Sequence, residues 1–296
     1  KAEEFLGYDH EKTINKINEI VLNQRKKYEK IYGSLIKELA ENNIYIVNEK
    51  QLNNKQTEFV KNYFHTKVSP KLMPFMIWPD VKLPIIKDDS IYFAITLKNN
   101  QENKELYSLL EIPTKVLSRY IELPGIDNKK YMIFLDDVIR FGLRELFFIF
   151  DFDEIEAHTI KVTKDAELDI VDDISESYIE AVSKSLKLRK KGNAIRFVYD
   201  REISPRILKI ISDKLKLSKV DTMIPGGRYH NLKDLIGFPD AGQSHLKYDK
   251  LVAFQHKAIE HGKSILASIL KKDIMLFFPY HSFDAFINLI RESSID

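Results

Sequence analysis

The hydrophobic positions near the start of the chain follow the spacing of an α-helix. Across residues 13–43, apolar side chains recur every three or four positions, which predicts one long amphipathic helix. Asn42-Asn43 is a suitable stop, and the short apolar run 44–47 follows it. Because a lone long helix cannot bury its own apolar stripe, we expect residues 1–52 to belong to a helical bundle that is incomplete here.

Beyond residue 53 the pattern alternates between helices and strands. After a helix over 53–67, four prolines between residues 70 and 84 enforce extended chain. The pattern predicts strands at 91–97, 106–112, 131–135, 155–162, 195–199 and 273–278. It predicts further helices at 138–146, 169–189, 205–217, 231–236 and 283–291, with Asp136 or Asp137 as the N-cap of the first of these. Antiparallel hairpin spacing mixed with helices favours an α+β fold for residues 53–255.

Composition narrows the class of protein. The 296 residues, 44% hydrophobic and 30% charged, are typical of a globular chain long enough for two domains. No apolar run approaches the roughly 20 residues of a membrane span. The lack of cysteine excludes disulfides, thiolate catalysis and cysteine-zinc sites, and it fits a cytosolic protein. The chain starts at Lys1 and stops at Asp296 just after a helical pattern, so we expect it to be part of a longer protein.

Charge is unevenly distributed although the net charge is only +2. Residues 136–180 carry 14 acidic side chains against 4 basic ones, and residues 184–234 carry 14 basic against 5 acidic. The basic stretch could face a polyanion, or the two stretches could be oppositely charged solvated surfaces that pack on each other. Both interpretations stay open, and nucleic acid is a minor option because the protein is not basic overall.

The densest polar cluster follows two glycines, in Ile224-Pro225-Gly226-Gly227-Arg228-Tyr229-His230-Asn231-Leu232-Lys233-Asp234-Leu235. Glycines allow positive φ and close approach of a ligand to the backbone, and Arg228 and Lys233 supply charge for an oxyanion. The same residues could form an ordinary turn and helix start, which residue types alone favour. The segment matches no nucleotide-binding loop. The eight histidines stand in no strong metal spacing, and no catalytic triad is readable.

Several segments nevertheless resemble bacterial polyphosphate kinases of the histidine-phosphorylated type. They occur in the order and at the approximate spacing of that family: Asn48-Glu49-Lys50-Gln51-Leu52, Leu110-Glu111-Ile112-Pro113, Thr163-Lys164-Asp165-Ala166-Glu167-Leu168-Asp169, Ile195-Arg196-Phe197-Val198-Tyr199, the Pro225–Asp234 segment, and Phe278-Pro279-Tyr280-His281-Ser282-Phe283. The similarity runs from about residue 30 to the end of the chain.

The resemblance implies an α+β fold with three parts. Residues 1–52 would be the rear part of an N-terminal helical domain, 53–255 a mixed α/β head domain, and 256–296 the truncated start of a phospholipase D-like catalytic domain. Enzymes of the family reversibly transfer the γ-phosphate of ATP to inorganic polyphosphate through a phosphohistidine, with Mg²⁺. The catalytic histidines and the nucleotide-contacting residues would lie outside this chain, so the resemblance places no catalytic or metal-binding residue in it, and we expect the fragment alone to be inactive.

For this chain the resemblance implies a homodimer or higher oligomer formed through the head domain, which also walls the polyphosphate path. Charge and glycine context make Arg228, Lys233, Lys164 and His230 the candidates for polyphosphate contact, and an Arg228→Ala variant should then weaken polyphosphate use more than ATP binding. The implied location is cytoplasmic or peripheral to the inner membrane. The alternatives are a non-catalytic polyanion-binding or assembly module and, more weakly, a nucleic-acid-binding protein.

Overall fold

The long helix predicted at the start of the chain is confirmed. Helix α1 spans His10–Glu41, and strand β1, Ile44–Val47, follows directly. The turn between them contains Asn43 at a φ of 62°, a left-handed conformation that asparagine tolerates. This computed structural model describes residues 10–88, 90–164, 194–217, 222–259 and 264–295. The helix predicted over 169–189 lies outside the described residues.

A small sheet joins the start of the chain to the middle. Strands β5, Tyr120–Ile126, and β6, Lys129–Phe134, form an antiparallel hairpin, and β1 pairs with β6 in parallel. The hairpin turns through Asp127 and Asn128, both with positive φ, as a two-residue turn that matches the strand twist requires. Helix α2, Asn54–Tyr63, starts with a capping box between Asn53 and Gln56. Helix α3, Leu135–Leu146, begins where β6 ends.

A larger sheet forms the centre of the first unit. Its strands are β2, Phe75–Met76; β3, Ile91–Asn99; β4, Lys104–Ile112; β7, Glu154–Lys164; β8, Ala194–Asp200; and β9, Thr222–Gly226. Within the described residues their order is β2-β4-β3-β7-β8-β9, and only the β8–β9 pair is parallel. Helix α4, Pro205–Lys214, makes the crossover between these two strands and is capped by Ser204. The mixture of helices with mainly antiparallel strands confirms the predicted α+β class.

The core occupies both faces of this sheet because side chains alternate along each strand. Odd-numbered residues of β3, such as Phe93 and Ile95, pack with α2 and α3. Even-numbered Tyr92 and Ala94 pack on the other face with Ile207 and Ile211 of α4. A sheet with helices on both faces is a rigid platform, so the loops at its strand ends are held in defined positions.

The chain divides into two compact units, Lys1–Ala241 and Gly242–Asp296. The second contains helices α5, Ile265–Lys271, and α6, Asp284–Ser293. The strand predicted over 273–278 is wrong: these residues join no sheet in the described part of the chain, and Met275 and Phe277 are largely exposed. Apolar character alone could not supply the neighbouring strand that a ladder needs. The domain boundaries at 52 and 255 and the phospholipase D-like start stay predictions.

In the described ranges, no helix combines the length and the apolar character needed to cross a bilayer.

Candidate functional site

The polar loop that follows β9 leads into a short 3₁₀ helix, Leu232–Gly237, in place of the predicted α-helix. The residue with a left-handed backbone is Asn231, at a φ of 63°, and neither Gly226 nor Gly227 has a positive φ. Asp234 already places a carboxylate in the first turn of the short helix, where an incoming anion would otherwise benefit from free N–H groups. The loop therefore does not form an anion site by way of a helix N-terminus.

The glycines instead allow α1 to approach the end of β9. A Cβ atom on Gly226 would lie 2.0 Å from Nη2 of Arg25, and one on Gly227 would lie 3.8 Å from Oε1 of Glu29. Arg201 secures the contact, because it donates to the Gly226 carbonyl oxygen at 3.0 Å and to both carboxylate oxygens of Glu29. The sequence predicts that a ligand approaches the backbone at the two glycines. In the structure, side chains of α1 take that place.

Arg228, the leading candidate for polyphosphate contact, is held by two carboxylates. Its Nη2 atom donates to Oδ1 of Asp137 at 2.8 Å and to Oε2 of Glu49 at 2.6 Å. Burial alone would lower the pKa of Arg228, but these two carboxylates outweigh burial and raise it. The guanidinium charge is therefore largely balanced within the protein.

Asp137 is the centre of this arrangement, which we call the Asp137 clasp and define as Asp137, Glu49, Arg140, Arg228 and Tyr229. The Asp137 side chain is fully buried and accepts hydrogen bonds from Arg140 at 2.8 Å and from the Tyr229 hydroxyl at 2.6 Å. Burial raises the pKa of Asp137, and the guanidinium groups of Arg140 and Arg228 oppose that effect. Burial and the adjacent carboxylate raise the pKa of Tyr229, so its hydroxyl stays a donor.

A second buried ion pair fixes the far end of the loop. Arg119 makes a two-pronged contact with Asp136, at 2.7 and 2.9 Å, and also binds Asp234 and the His230 carbonyl oxygen. The prediction that Asp136 or Asp137 caps α3 is wrong, because the N-cap is Phe134. Both aspartates lie in the first turn of the helix, where a negative charge is favourable, and their side chains point to arginines.

His230 lies inside the protein, with 4% of its surface exposed. Neither ring nitrogen has a hydrogen-bond partner among the described residues. Burial lowers the pKa of His230 to about 3, and the nearby charge of Arg25 adds to the effect. His230 is therefore neutral at physiological pH and supplies no positive charge to a polyanion.

The two lysine candidates lie apart from the clasp. Lys164 is the last residue of β7, half-buried, with its backbone N–H bonded to Asp88 at 2.7 Å. Lys233 lies in the 3₁₀ helix that follows the loop. A lysine that the sequence did not single out, Lys161, reaches the loop and donates to Oδ1 of Asn231 at 2.7 Å. Among the predicted residues whose side chains the structure describes, Arg228 and His230 lie with the loop's buried anchors, and Lys164 lies at the end of β7.

Metal binding finds no support in the described ranges, where no three or more His, Asp or Glu side chains are grouped to hold an ion. The arrangement around the loop can instead join three segments by buried charge. Ion pairs connect α1, the start of α3 and the residues around Glu49 to the end of β9 and the loop that follows it. Such a site is suited to positioning rather than to bond-breaking chemistry.

Comparison with known proteins decides the family. The profile of the polyphosphate kinase middle domain matches residues 55–238. The chain belongs to the polyphosphate kinase family. It is 37% identical over 287 residues to the polyphosphate kinase of Vibrio vulnificus (strain YJ016), covering 96% of this chain and 41% of that protein. It is 34% identical over 289 residues to the polyphosphate kinase of Escherichia coli (strain K12), covering 96% of this chain and 42% of that protein.

The fold agrees with a solved member of the family. The crystal structure of polyphosphate kinase from Porphyromonas gingivalis superposes with a TM-score of 0.72 at 24% identity, over 96% of this chain and 41% of that one. The chain thus spans about two-fifths of the length of these relatives. The family match covers the larger sheet, its helices and the polar loop, and it ends close to the boundary of the first compact unit at Ala241.

Sequence reasoning found the loop but missed its partners. Glu49 stands in a segment that serves only as a family marker, and the sequence predicts Asp136 or Asp137 as a helix cap. Two adjacent acids beside apolar Leu135, Val138 and Ile139 in the first turns of the helix are the available signal, because a buried helix start can hold such charges only when arginines reach them. Arg119 and Arg25 carried no signal of their own, since their roles depend on tertiary contacts.

Proposed function

We propose that this protein is an ATP:polyphosphate phosphotransferase, which reversibly transfers the γ-phosphate of ATP to the end of an inorganic polyphosphate chain. The observation that carries the proposal is the match of residues 55–238 to the middle domain of that family. Because the chain spans about two-fifths of its relatives, the activity of the whole protein, its Mg²⁺ requirement and the phosphohistidine intermediate are all part of the proposal.

Within the enzyme, this chain would supply a wall of the polyphosphate path and a surface for assembly into a homodimer or higher oligomer. The four predicted contact residues then divide into two groups. Lys164 and Lys233 are proposed to contact polyphosphate. Lys233 belongs to the basic stretch 184–234, and Lys164 pairs with Ala194 of that stretch through β7 and β8. Arg228 and His230 are proposed to hold the loop, because one is paired with carboxylates and the other is buried and neutral.

The test is ATP-dependent polyphosphate synthesis by the full-length protein. Changing Lys164 and Lys233 together to glutamine should raise the KM for polyphosphate about ten-fold and leave the KM for ATP unchanged, because the phosphate chain loses two favourable charges and ATP loses none. The matched control is Lys130→Gln, which removes an exposed lysine paired with Glu122 on the small sheet.

Each outcome bears on a different part of the proposal. Failure of the unchanged protein to make polyphosphate from ATP would overturn the function. An active double variant with an unaltered KM for polyphosphate would overturn the two lysine contacts and leave the function standing.

A further inference from the structure

A cavity of about 270 Å³ lies in the first unit, between α1, the small sheet and the polar loop. Its walls are largely apolar. Protein interiors contain few voids larger than a water molecule, and an apolar cavity of roughly 150 Å³ is already large enough to bind benzene. This cavity therefore has room for an organic molecule larger than a single aromatic ring.

Aromatic rings from two elements line the cavity. Tyr28 and Tyr32 of α1 stack on each other with their ring centroids 6.2 Å apart. On the small sheet, the ring centroids of Tyr120 and Phe134 are 5.0 Å apart. Both pairs belong to the cavity walls, and Leu235 of the 3₁₀ helix adds an aliphatic side chain. Such walls favour a planar aromatic ligand, because aromatic rings attract one another through stacking and edge-to-face contacts.

The charged side chains of the walls are already paired within the protein. The pairs are Arg25 with Glu29, Arg119 with Asp234, and Arg228 with Glu49. Burial raises the pKa of Tyr32 to about 12, so that side chain is neutral. The ring nitrogens of His230 have almost no accessible surface and so do not face the cavity. A charged ligand would lose its hydration to walls whose charges are already balanced, so the cavity selects an uncharged molecule.

A ligand in the cavity would hold α1 against the small sheet. None of residues 12–41 is buried, so this part of the helix contacts its neighbours through half-exposed side chains. Its ion pair from Glu29 to Arg201 joins side chains that are 33% and 50% exposed, and exposed pairs stabilise little. A ring in contact with both Tyr28 and Tyr120 would remove apolar surface of the helix and of the sheet from water. Binding should therefore favour the docked position of α1.

We propose that this cavity binds an uncharged, planar aromatic molecule the size of two fused rings, in contact with Tyr28 and Tyr32 on α1 and with Tyr120 and Phe134 on the small sheet. The volume sets the size of the ligand, the ring pairs set its shape, and the paired wall charges exclude a charged one. The site goes beyond the proposed function, because nucleotides and phosphate chains are highly charged and do not belong to this class of ligand.

The test is a ligand-observed NMR titration of the full-length protein with indole and, separately, with indole-3-carboxylate, which adds a negative charge to the same rings. Indole should bind with a Kd of about 1 mM or lower, and the carboxylate should bind at least about ten-fold more weakly. Tyr28→Ala should weaken indole binding about ten-fold, because one ring of the wall is lost. Leu235→Trp should abolish indole binding, because the larger side chain fills the cavity.

The matched control is Trp78→Ala. Trp78 is a half-exposed aromatic residue that lines a different groove of the first unit, together with Tyr107 and Ile210. The affinity of this variant for indole should stay within about two-fold of that of the unchanged protein. A loss of affinity in Trp78→Ala but not in Tyr28→Ala would place indole in the other groove and overturn the proposal.

Three further results would also overturn it. They are no indole binding by the unchanged protein, equal affinity for indole and indole-3-carboxylate, and equal affinity of Tyr28→Ala and the unchanged protein for indole. Tyr28→Ala decides the question if Leu235→Trp does not fold. Kinase activity is measured separately, so failure here leaves the proposed function untouched.

Discussion

Replacing Asp137 with asparagine should lower the free energy of unfolding by about 3–5 kcal/mol, the range for breaking a buried ion pair by removing one partner. The change leaves Arg140 without its carboxylate and Arg228 with Glu49 alone. The Tyr229 hydroxyl also loses the charged acceptor at 2.6 Å. Urea denaturation followed by circular dichroism measures the loss.

The matched control removes a carboxylate of the same chain that is exposed. Glu122 pairs with Lys130 at 3.2 Å, and about half of each side chain is exposed. Exposed pairs contribute about 0–1 kcal/mol, so Glu122→Gln should change stability by less than 1 kcal/mol. If Asp137→Asn also lowers the free energy of unfolding by less than 1 kcal/mol, the Asp137 clasp does not stabilise the fold.

The free energy of unfolding should also decrease as the pH is lowered, because of His230. Its pKa is about 3 in the folded chain and near 6.5 when unfolded, so the unfolded state binds the proton first. The contribution is fully present above pH 6.5 and is lost progressively as the pH falls toward 3. Between pH 7 and pH 5 the expected loss is about 2 kcal/mol. Burial, Arg25 and Arg119 all disfavour the proton, and the carboxylate of Asp200 favours it too weakly to offset them.

The measurement compares the protein with a His230→Gln variant by urea denaturation at both pH values. The other histidines are common to both proteins, so their contributions cancel. The variant should lose about 2 kcal/mol less than the unchanged protein between pH 7 and pH 5. Equal losses would show that His230 is accessible to protons in the folded state.

The sequence predicted elements well where local pattern decides them. Residues 91–97 and 106–112 are largely apolar runs on either side of a polar loop, and they form the antiparallel pair β3–β4. Ser204-Pro205 combines a cap with a fixed φ, and α4 begins there. The short run 273–278 failed because a strand also needs a neighbour, which no local pattern encodes.

The sequence predicts where the candidate site lies but not what its residues contact. Glycines followed by Arg228 and His230 marked the correct loop, because such residues cluster where backbones approach closely. Whether the approaching group is a phosphate or Arg25 depends on α1, some 200 positions earlier in the chain. The neutralisation of Arg228 likewise depends on Glu49 and Asp137, and long-range pairs of this kind leave no periodic signal in the sequence.

The most direct test of this account measures KM for polyphosphate, KM for ATP and the melting temperature of an Arg228→Met variant of the full-length protein. If Arg228 holds the loop, the melting temperature falls and KM for polyphosphate stays within about two-fold of that of the unchanged protein. A rise of about ten-fold in KM for polyphosphate, with KM for ATP and the melting temperature unchanged, would contradict the account and make Arg228 a substrate contact.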